Sequence, residues 1–301
     1  MTKNINNVYV EKKFNGNTFI QKLPCEIYND HFENAKRYNI PHAQLIIADL
    51  PYNLGVNAYA SNPSWYNGGD NKNGESELAG KTFFKTDENF NIHNFFNFCT
   101  RYLKKEPKEP NKAPAMIVFC AFEQMQMVID EGKKHGLVKS YPLVFIKNYS
   151  AQVLKANMKI VGATEYAVVL YRDKLPKFNN NGKMIFNWFD WERDTTSPKL
   201  HPTQKPIGVL KRLIEIFTDE GDVVIDPCCG SGSTLIASRQ LKRKSYGFEI
   251  EKEFYKKANE WINGLEDEQE RELKEKGVMN IFDFIESEWL TFIKLNTTFN
   301  H

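Results

Sequence analysis

The sequence predicts an α/β protein built on a mostly parallel, twisted sheet with helices on both faces. Three observations carry that reading. Short runs at 44–49, 113–119 and 223–226 are apolar on both faces, the first and last stopping at an acid, as strands buried in a parallel sheet are. Amphipathic helical patterns alternate with the strands. The cleanest unit, 223–250, reads strand, glycine loop, helix, strand, so a right-handed parallel crossover is expected.

Taken in order, the first strong strand is 44–49, which stops at Asp49 just before a proline. Residues 53–91 are polar and rich in Asn and Gly, with Trp65 and Tyr66 inside. A structureless stretch of that length is unusual in a compact domain, so a functional loop or lid is expected. After the strand at 113–119, Phe122, Met125, Val128 and Ile129 recur at helical spacing up to a stop at Gly136. Two more strands are expected at 141–147 and 165–171. Residues 174–200 are polar, and Trp188, Phe189 and Trp191 fit no core pattern there. Ile207, Leu210, Leu213, Ile214 and Phe217 make an amphipathic helix that ends near Gly221. The strand 223–226, the loop 227–234, a helix at 235–241 and a strand at 245–250 follow. Past Leu265 the chain is highly charged, then amphipathic through Ile281, Phe284, Ile285 and Leu290.

Composition narrows the class. With 301 residues, 41% hydrophobic content and a net charge of +2, the chain has enough apolar material for a full core, and disorder is excluded. The apolar run at 115–122 is too short to span a bilayer. The first residues carry no apolar stretch of a secretory leader, so a cytoplasmic location is expected. Five cysteines without paired spacing argue against a disulfide framework or a zinc site. The near-neutral charge speaks against a nucleic-acid partner, which usually calls for a basic excess.

The glycine loop narrows the chemistry. Gly230 and Gly232 let the backbone turn sharply after the strand and approach a ligand. Asp226 closes that strand at the carboxyl edge, where open α/β sheets bind ligands. Glu249 ends the next strand, placed to accept from two ribose hydroxyls of an adenosine cofactor. A dinucleotide fingerprint lacks its third glycine, because position 235 is Leu, and a phosphate loop lacks its lysine. A carboxylate beside the loop suits the cationic S-adenosylmethionine better than a pyrophosphate. A glycine turn that only lets helix and strand pack is the alternative.

Asp49-Leu50-Pro51-Tyr52 has its own chemistry. The exocyclic amine of a nucleobase is a poor nucleophile, because its lone pair is delocalised into the ring. Two acceptors on its N–H bonds draw it towards sp³ geometry. The Asp49 carboxylate supplies one and the Leu50 carbonyl the other. Pro51 stiffens the turn without offering an N–H, and Tyr52 offers a face for stacking, worth about 1–3 kcal/mol per base. Alone, such a turn also reads as a simple strand end.

Together these segments resemble the S-adenosylmethionine-dependent amino-methyltransferases of DNA. That family's catalytic D-P-P-Y/W/F is similar to Asp49-Leu50-Pro51-Tyr52. Its D-P-F-x-G-S-G-T/S-T loop is similar to the segment from Asp226 and Pro227 through Gly230, Gly232 and Ser233 to Thr234. Its H-P-T-Q-K-P segment stands unchanged as His201-Pro202-Thr203-Gln204-Lys205-Pro206. The catalytic motif precedes the cofactor loop, as in the permuted β class. The resemblance implies a Rossmann-like methyltransferase fold, S-adenosyl-L-methionine as cofactor and a flipped base in double-stranded DNA as substrate. It also implies that Asp30, beside His31, accepts from the cofactor's adenine amine, and that Glu249 holds the ribose. Lys205 and Thr203 then lie near the methionine carboxylate. Without the resemblance, Lys205 reads as a solvated charge and Asp30 as a helix cap. Leu50 departs from the motif but still supplies a carbonyl. Asp at the head of the motif favours adenine over cytosine, whose enzymes mostly carry Ser there.

The expected organisation is a methyltransferase domain at 1–264, with a lid at 53–91 and a small target-recognition insert at 172–200. A helical extension at 265–301 packs on the domain or pairs two copies. Asn53, Trp65, Tyr66, Trp188, Trp191, Arg193 and Lys199 are candidate DNA contacts, with core packing the stronger reading for at least one of Trp188 and Trp191. No metal and no membrane partner is expected. The rivals are an N4-cytosine enzyme of the same fold and a non-catalytic module that binds S-adenosylmethionine or DNA. The charge balance then predicts a positive face over the Asp49 cleft.

Overall fold

The computed structural model describes residues 9–14, 17–51, 90–149, 152–155, 160–201 and 203–275. In chain order the strands are β1 (Tyr9–Phe14), β2 (Asn17–Lys22), β3 (Cys25–Tyr28), β4 (Leu45–Asp49), β5 (Ala115–Cys120), β6 (Lys139–Lys147), β7 (Gln152–Lys155), β8 (Ile160–Gly162), β9 (Thr164–Tyr171), β10 (Trp188–Trp191), β11 (Val223–Asp226) and β12 (Lys244–Phe248). The α-helices are α1 (Ile92–Tyr102), α2 (Met125–Lys134), α3 (Ile207–Phe217), α4 (Ser233–Gln240) and α5 (Lys252–Glu275).

Eight strands form one sheet in the order β10-β6-β9-β5-β4-β11-β12-β3. All run parallel except β9, which is antiparallel to both β5 and β6. β1 pairs with β2, and β7 with β8, as separate antiparallel ribbons. The order reverses at the centre. From β4 the chain moves to its neighbour β5, whereas from β11 it moves the other way to β12. The crevice at the carboxyl ends of β4 and β11 is therefore a topological switch point, where open α/β sheets bind ligands. Asp49 ends β4 and Asp226 ends β11.

The wholly apolar strands are explained by cover on both faces. On one face, Leu213, Ile214 and Phe217 of α3, Leu235 and Ile236 of α4, and Ala258 and Ile262 of α5 pack on Leu45, Ile47 and Ile117. On the other, Phe32, Phe95 and Phe96, Cys99 and Val128 pack on Ile46, Ala48, Met116 and Val118. α1 begins where the Asn91 side chain accepts from the Asn94 backbone N–H at 3.1 Å, a polar N-cap. Among the described residues no helix is long and apolar enough to cross a membrane.

Several expectations change. Phe122, read onto the buried face of a helix, is 66% exposed on a 3-10 turn ahead of α2 and meets the Tyr166 ring. The stretch 172–200 is not wholly an insert, because it contains β10, the edge strand parallel to β6. Trp191 of that strand is buried, so it is a core residue and not a DNA contact, while Trp188 is exposed. α5 runs unbroken through the boundary expected at 264, so the extension starts as a continuation of a domain helix.

Candidate active site

Two parts of the chain meet at the switch point. In the first, β11 delivers Asp226 and the loop after it turns through two left-handed glycines, Gly230 at φ 49° and Gly232 at φ 77°. A side chain at either would be strained. Gly232 is the N-cap of α4, and its N–H donates to the Cys229 carbonyl at 2.7 Å. Asp226 Oδ1 accepts from the Cys228 N–H at 3.0 Å, and the Thr234 side chain also bonds its carboxylate. Glu249, just past β12, accepts from the Gly230 N–H at 2.8 Å and the Glu251 N–H at 2.7 Å. The loop is thus fastened to the acid of the next strand.

Burial dominates the electrostatics here. It pushes Asp226 up to about 7 against the hydrogen bonds of Thr234 and Cys228, with Asp49 and Glu249 adding repulsion. It pushes Glu249 up to about 7 as well, against the donors from Glu251 and Gly230. Two such acids on adjacent strands favour a ligand that brings positive charge or several donors.

In the second part, β4 delivers Asp49, whose Oδ2 pairs with Lys205 Nζ at 2.5 Å across 156 residues. The ammonium also lies over the rings of Phe119 (5.2 Å) and Trp191 (5.8 Å). The pair joins the Asp49 motif to the His201 segment, a link that the sequence does not announce. Leu50 is buried, and its N–H donates to the Phe119 carbonyl at 3.0 Å. Pro51 presents its carbonyl to Gln124 Nε2 at 3.0 Å, while Gln124 Oε1 accepts from the Ala121 N–H at 3.0 Å. Gln124 clasps the turn after Asp49, and sequence reasoning missed it.

The His201 ring lies over Gly230, in van der Waals reach of any Cβ placed there, and edge-on to Phe254. Burial and then Lys205 hold His201 down at about 4, so it is neutral at pH 7. Its Nδ1 lies 3.0 Å from Thr203 Oγ1 and accepts from the Thr203 N–H at 3.3 Å. Pro227 and Ser233 are buried in the loop, and Ser233 Oγ bonds Ser231 Oγ at 2.8 Å.

Asp30 lies two residues past the end of β3, which pairs with β12. Asn29 ties that end to the Glu249 carbonyl at 2.9 Å. The Asp30 carboxylate already accepts from the His31 N–H (2.8 Å), Asn34 (2.6 Å), Arg37 (3.3 Å) and Tyr38 (2.8 Å). Its pKa is lowered: those hydrogen bonds and Arg37 outweigh the burial that raises it. Asp30 is thus a tie at the start of the short 3-10 helix Phe32–Arg37, which His31 caps. Arg193 and Lys199 are exposed, and Arg193 lies over the Tyr149 ring at 4.7 Å. Tyr52, Asn53, Trp65, Tyr66 and Pro202 lie outside the described residues.

A parallel sheet with one reversed strand, and acids gathered at its switch point, define a Rossmann-like α/β fold with its ligand crevice at that point. The solved structure of M1.HpyAVI in complex with SAM shares the fold, with a TM-score of 0.56 and 20% identity over 79% of this chain and 99% of that one. The family model described as DNA methylase matches residues 43–260, and the chain belongs to that family. It is similar to Type II methyltransferase M.HpaI of Haemophilus parainfluenzae, 39% identical over 279 residues, 83% of this chain and 78% of that protein. It is also similar to DNA adenine methyltransferase YhdJ of Escherichia coli (strain K12), 26% identical over 76% of this chain and 79% of that protein. The chain is therefore a DNA methyltransferase of the family that modifies exocyclic amines.

Proposed function

We propose that the enzyme transfers a methyl group to the N6 amine of adenine in double-stranded DNA, with S-adenosylmethionine as donor. The observation that carries the reading is the meeting of Asp49 with Asp226 and Glu249 at one switch point, with Asp and not Ser at the head of the catalytic turn. Similarity to an adenine methyltransferase supports it.

The residues fit the cofactor. Glu249 and Asp226 are buried acids with pKa values near 7, and a donor-rich, cationic ligand draws them into their ionised form. Glu249 accepts from the ribose hydroxyls, and Lys205 and Thr203 lie on the side of the methionine carboxylate. Asp30 and His31 flank the adenine side. When bound, the cofactor supplies an electrophilic methyl on a sulfonium.

Asp49 accepts one N–H of the target amine, and the Leu50 carbonyl accepts the other. The amine shifts towards sp³ and its lone pair is freed for in-line attack. The proton released after transfer leaves by way of Asp49 to solvent. Gln124 keeps the turn from drifting, because a small misplacement of the acceptors costs rate steeply. No residue of the chain forms a covalent bond to the base, and Cys228 and Cys229 are both pushed well above the usual thiol range by burial. Tyr52, Asn53, Trp65 and Tyr66 are proposed to cover the flipped base. Trp188, Arg193 and Lys199 are proposed to touch the duplex, so reversing the charge of both cations weakens DNA binding in a filter assay and leaves cofactor affinity intact.

The test is nucleoside analysis of DNA incubated with the enzyme and methyl-labelled cofactor. Label in N6-methyladenine is expected. Label in N4-methylcytosine moves the target to cytosine, and no incorporation supports the non-catalytic reading.

A further inference from the structure

Away from the switch point, three metal-ligating side chains converge between α1 and α2. Glu131 and His135 stand one turn apart at the carboxyl end of α2, so they share a face. His93, in the first turn of α1, comes to meet them from 38 residues away. One ligand atom from each of the three lies within 4.8 Å of the others. His93 Nδ1 is 3.0 Å from Glu131 Oε1, and His135 Nδ1 is 3.6 Å from the same oxygen.

We propose that His93, Glu131 and His135 bind a divalent cation of the zinc class, with water completing the coordination. Two imidazoles and one carboxylate are a ligand set that suits zinc, nickel or copper over magnesium or calcium. In a tetrahedral zinc site the ligand atoms stand roughly 3.4 Å apart, from bond lengths of about 2.1 Å. Closing the present triangle takes a small side-chain adjustment.

The surroundings are those of a held site. The His135 side chain is only 7% exposed, and its ring lies against Phe96. Its Nδ1 donates to the Glu131 carbonyl at 2.9 Å, and ligation exchanges that bond for the cation, with the ring proton carried on Nε2. The Glu131 carboxylate is 9% exposed. His93, with a 62% exposed side chain, leaves an open approach from solvent. Lys134 Nζ sits 2.8 Å from Glu131 Oε2 on a side chain that is 68% exposed. That ammonium tempers the affinity and is free to swing away when the cation enters. The role is structural: the cation staples the start of α1 to the end of α2, and methyl transfer does not pass through it.

The experiment is calorimetric titration of the full-length, chelator-treated chain with zinc chloride, paired with thermal melts. One cation per chain is expected, with a rise in melting temperature and no response to magnesium. His93→Ala lowers the affinity about tenfold or more, as does His135→Ala. Lys134→Met tightens it. His93 is exposed, so its variant keeps the test clean if the His135 variant fails to fold. Absence of binding at 100-fold excess zinc overturns the site, as does an affinity unchanged in the His93 variant.

Discussion

The three acids at the switch point fall into two kinds. Asp226 and Glu249 are buried, fastened to backbone N–H groups of their own loop, and pushed up to about 7. Asp49 is half-buried and held by an ammonium from a distant segment. The first kind is fixed by local geometry that a cofactor does not need to rearrange. The second is held by a partner that, in the proposed mechanism, a substrate amine has to share. The difference fits the proposed function, with cofactor recognition on one strand pair, the chemical step on its neighbour and Lys205 as the link between them.

The largest effect expected from breaking that division is at Asp49. Asp49→Ala removes one of the two proposed acceptors on the amine and lowers kcat about 10²–10³-fold, as loss of one electrostatic stabiliser does. Initial rates of label transfer to DNA check this. Glu249→Gln removes a charged acceptor from the proposed ribose site and weakens cofactor affinity about 10–100-fold, read by calorimetry, with the rate at saturating cofactor changed much less.

Asp226→Asn separates stability from binding. The folded protein keeps its proton up to about pH 7, whereas the unfolded chain loses it near the ordinary Asp value. Between those pH values the native state binds more protons, so stability falls as pH rises and the penalty is full above 7. The Asn variant is therefore more stable than wild type at pH 8, with little gain at pH 4. Thermal melts at the two pH values read the sign. In the wild type, cofactor affinity declines as pH falls through 7. The smallest effect is expected of Gln124→Ala, which loosens the Pro51 turn: kcat falls about threefold and cofactor affinity stays put.

Much of the fold that brings these acids together was legible in the sequence. The runs ending at Asp49 and Asp226 announced parallel strands, because a strand covered on both faces must be apolar on both. The glycine loop announced a tight turn. β10 was hidden, since an edge strand with Trp188 exposed and Trp191 buried leaves a short alternating pattern inside a polar stretch. The partners of the acids were hidden for another reason. Lys205 is 156 residues from Asp49, and Gln124 is 73 from Pro51, so only the closed sheet brings them together. His93 and Glu131 likewise meet only through the packing of α1 on α2.

The separation of roles is tested most directly by titrating S-adenosylmethionine into Asp49→Ala in a calorimeter beside the wild-type protein. An affinity within about twofold of wild type is predicted if, as proposed, Asp49 acts on the amine and not on the cofactor. A loss of tenfold or more would place Asp49 among the cofactor ligands and contradict the division.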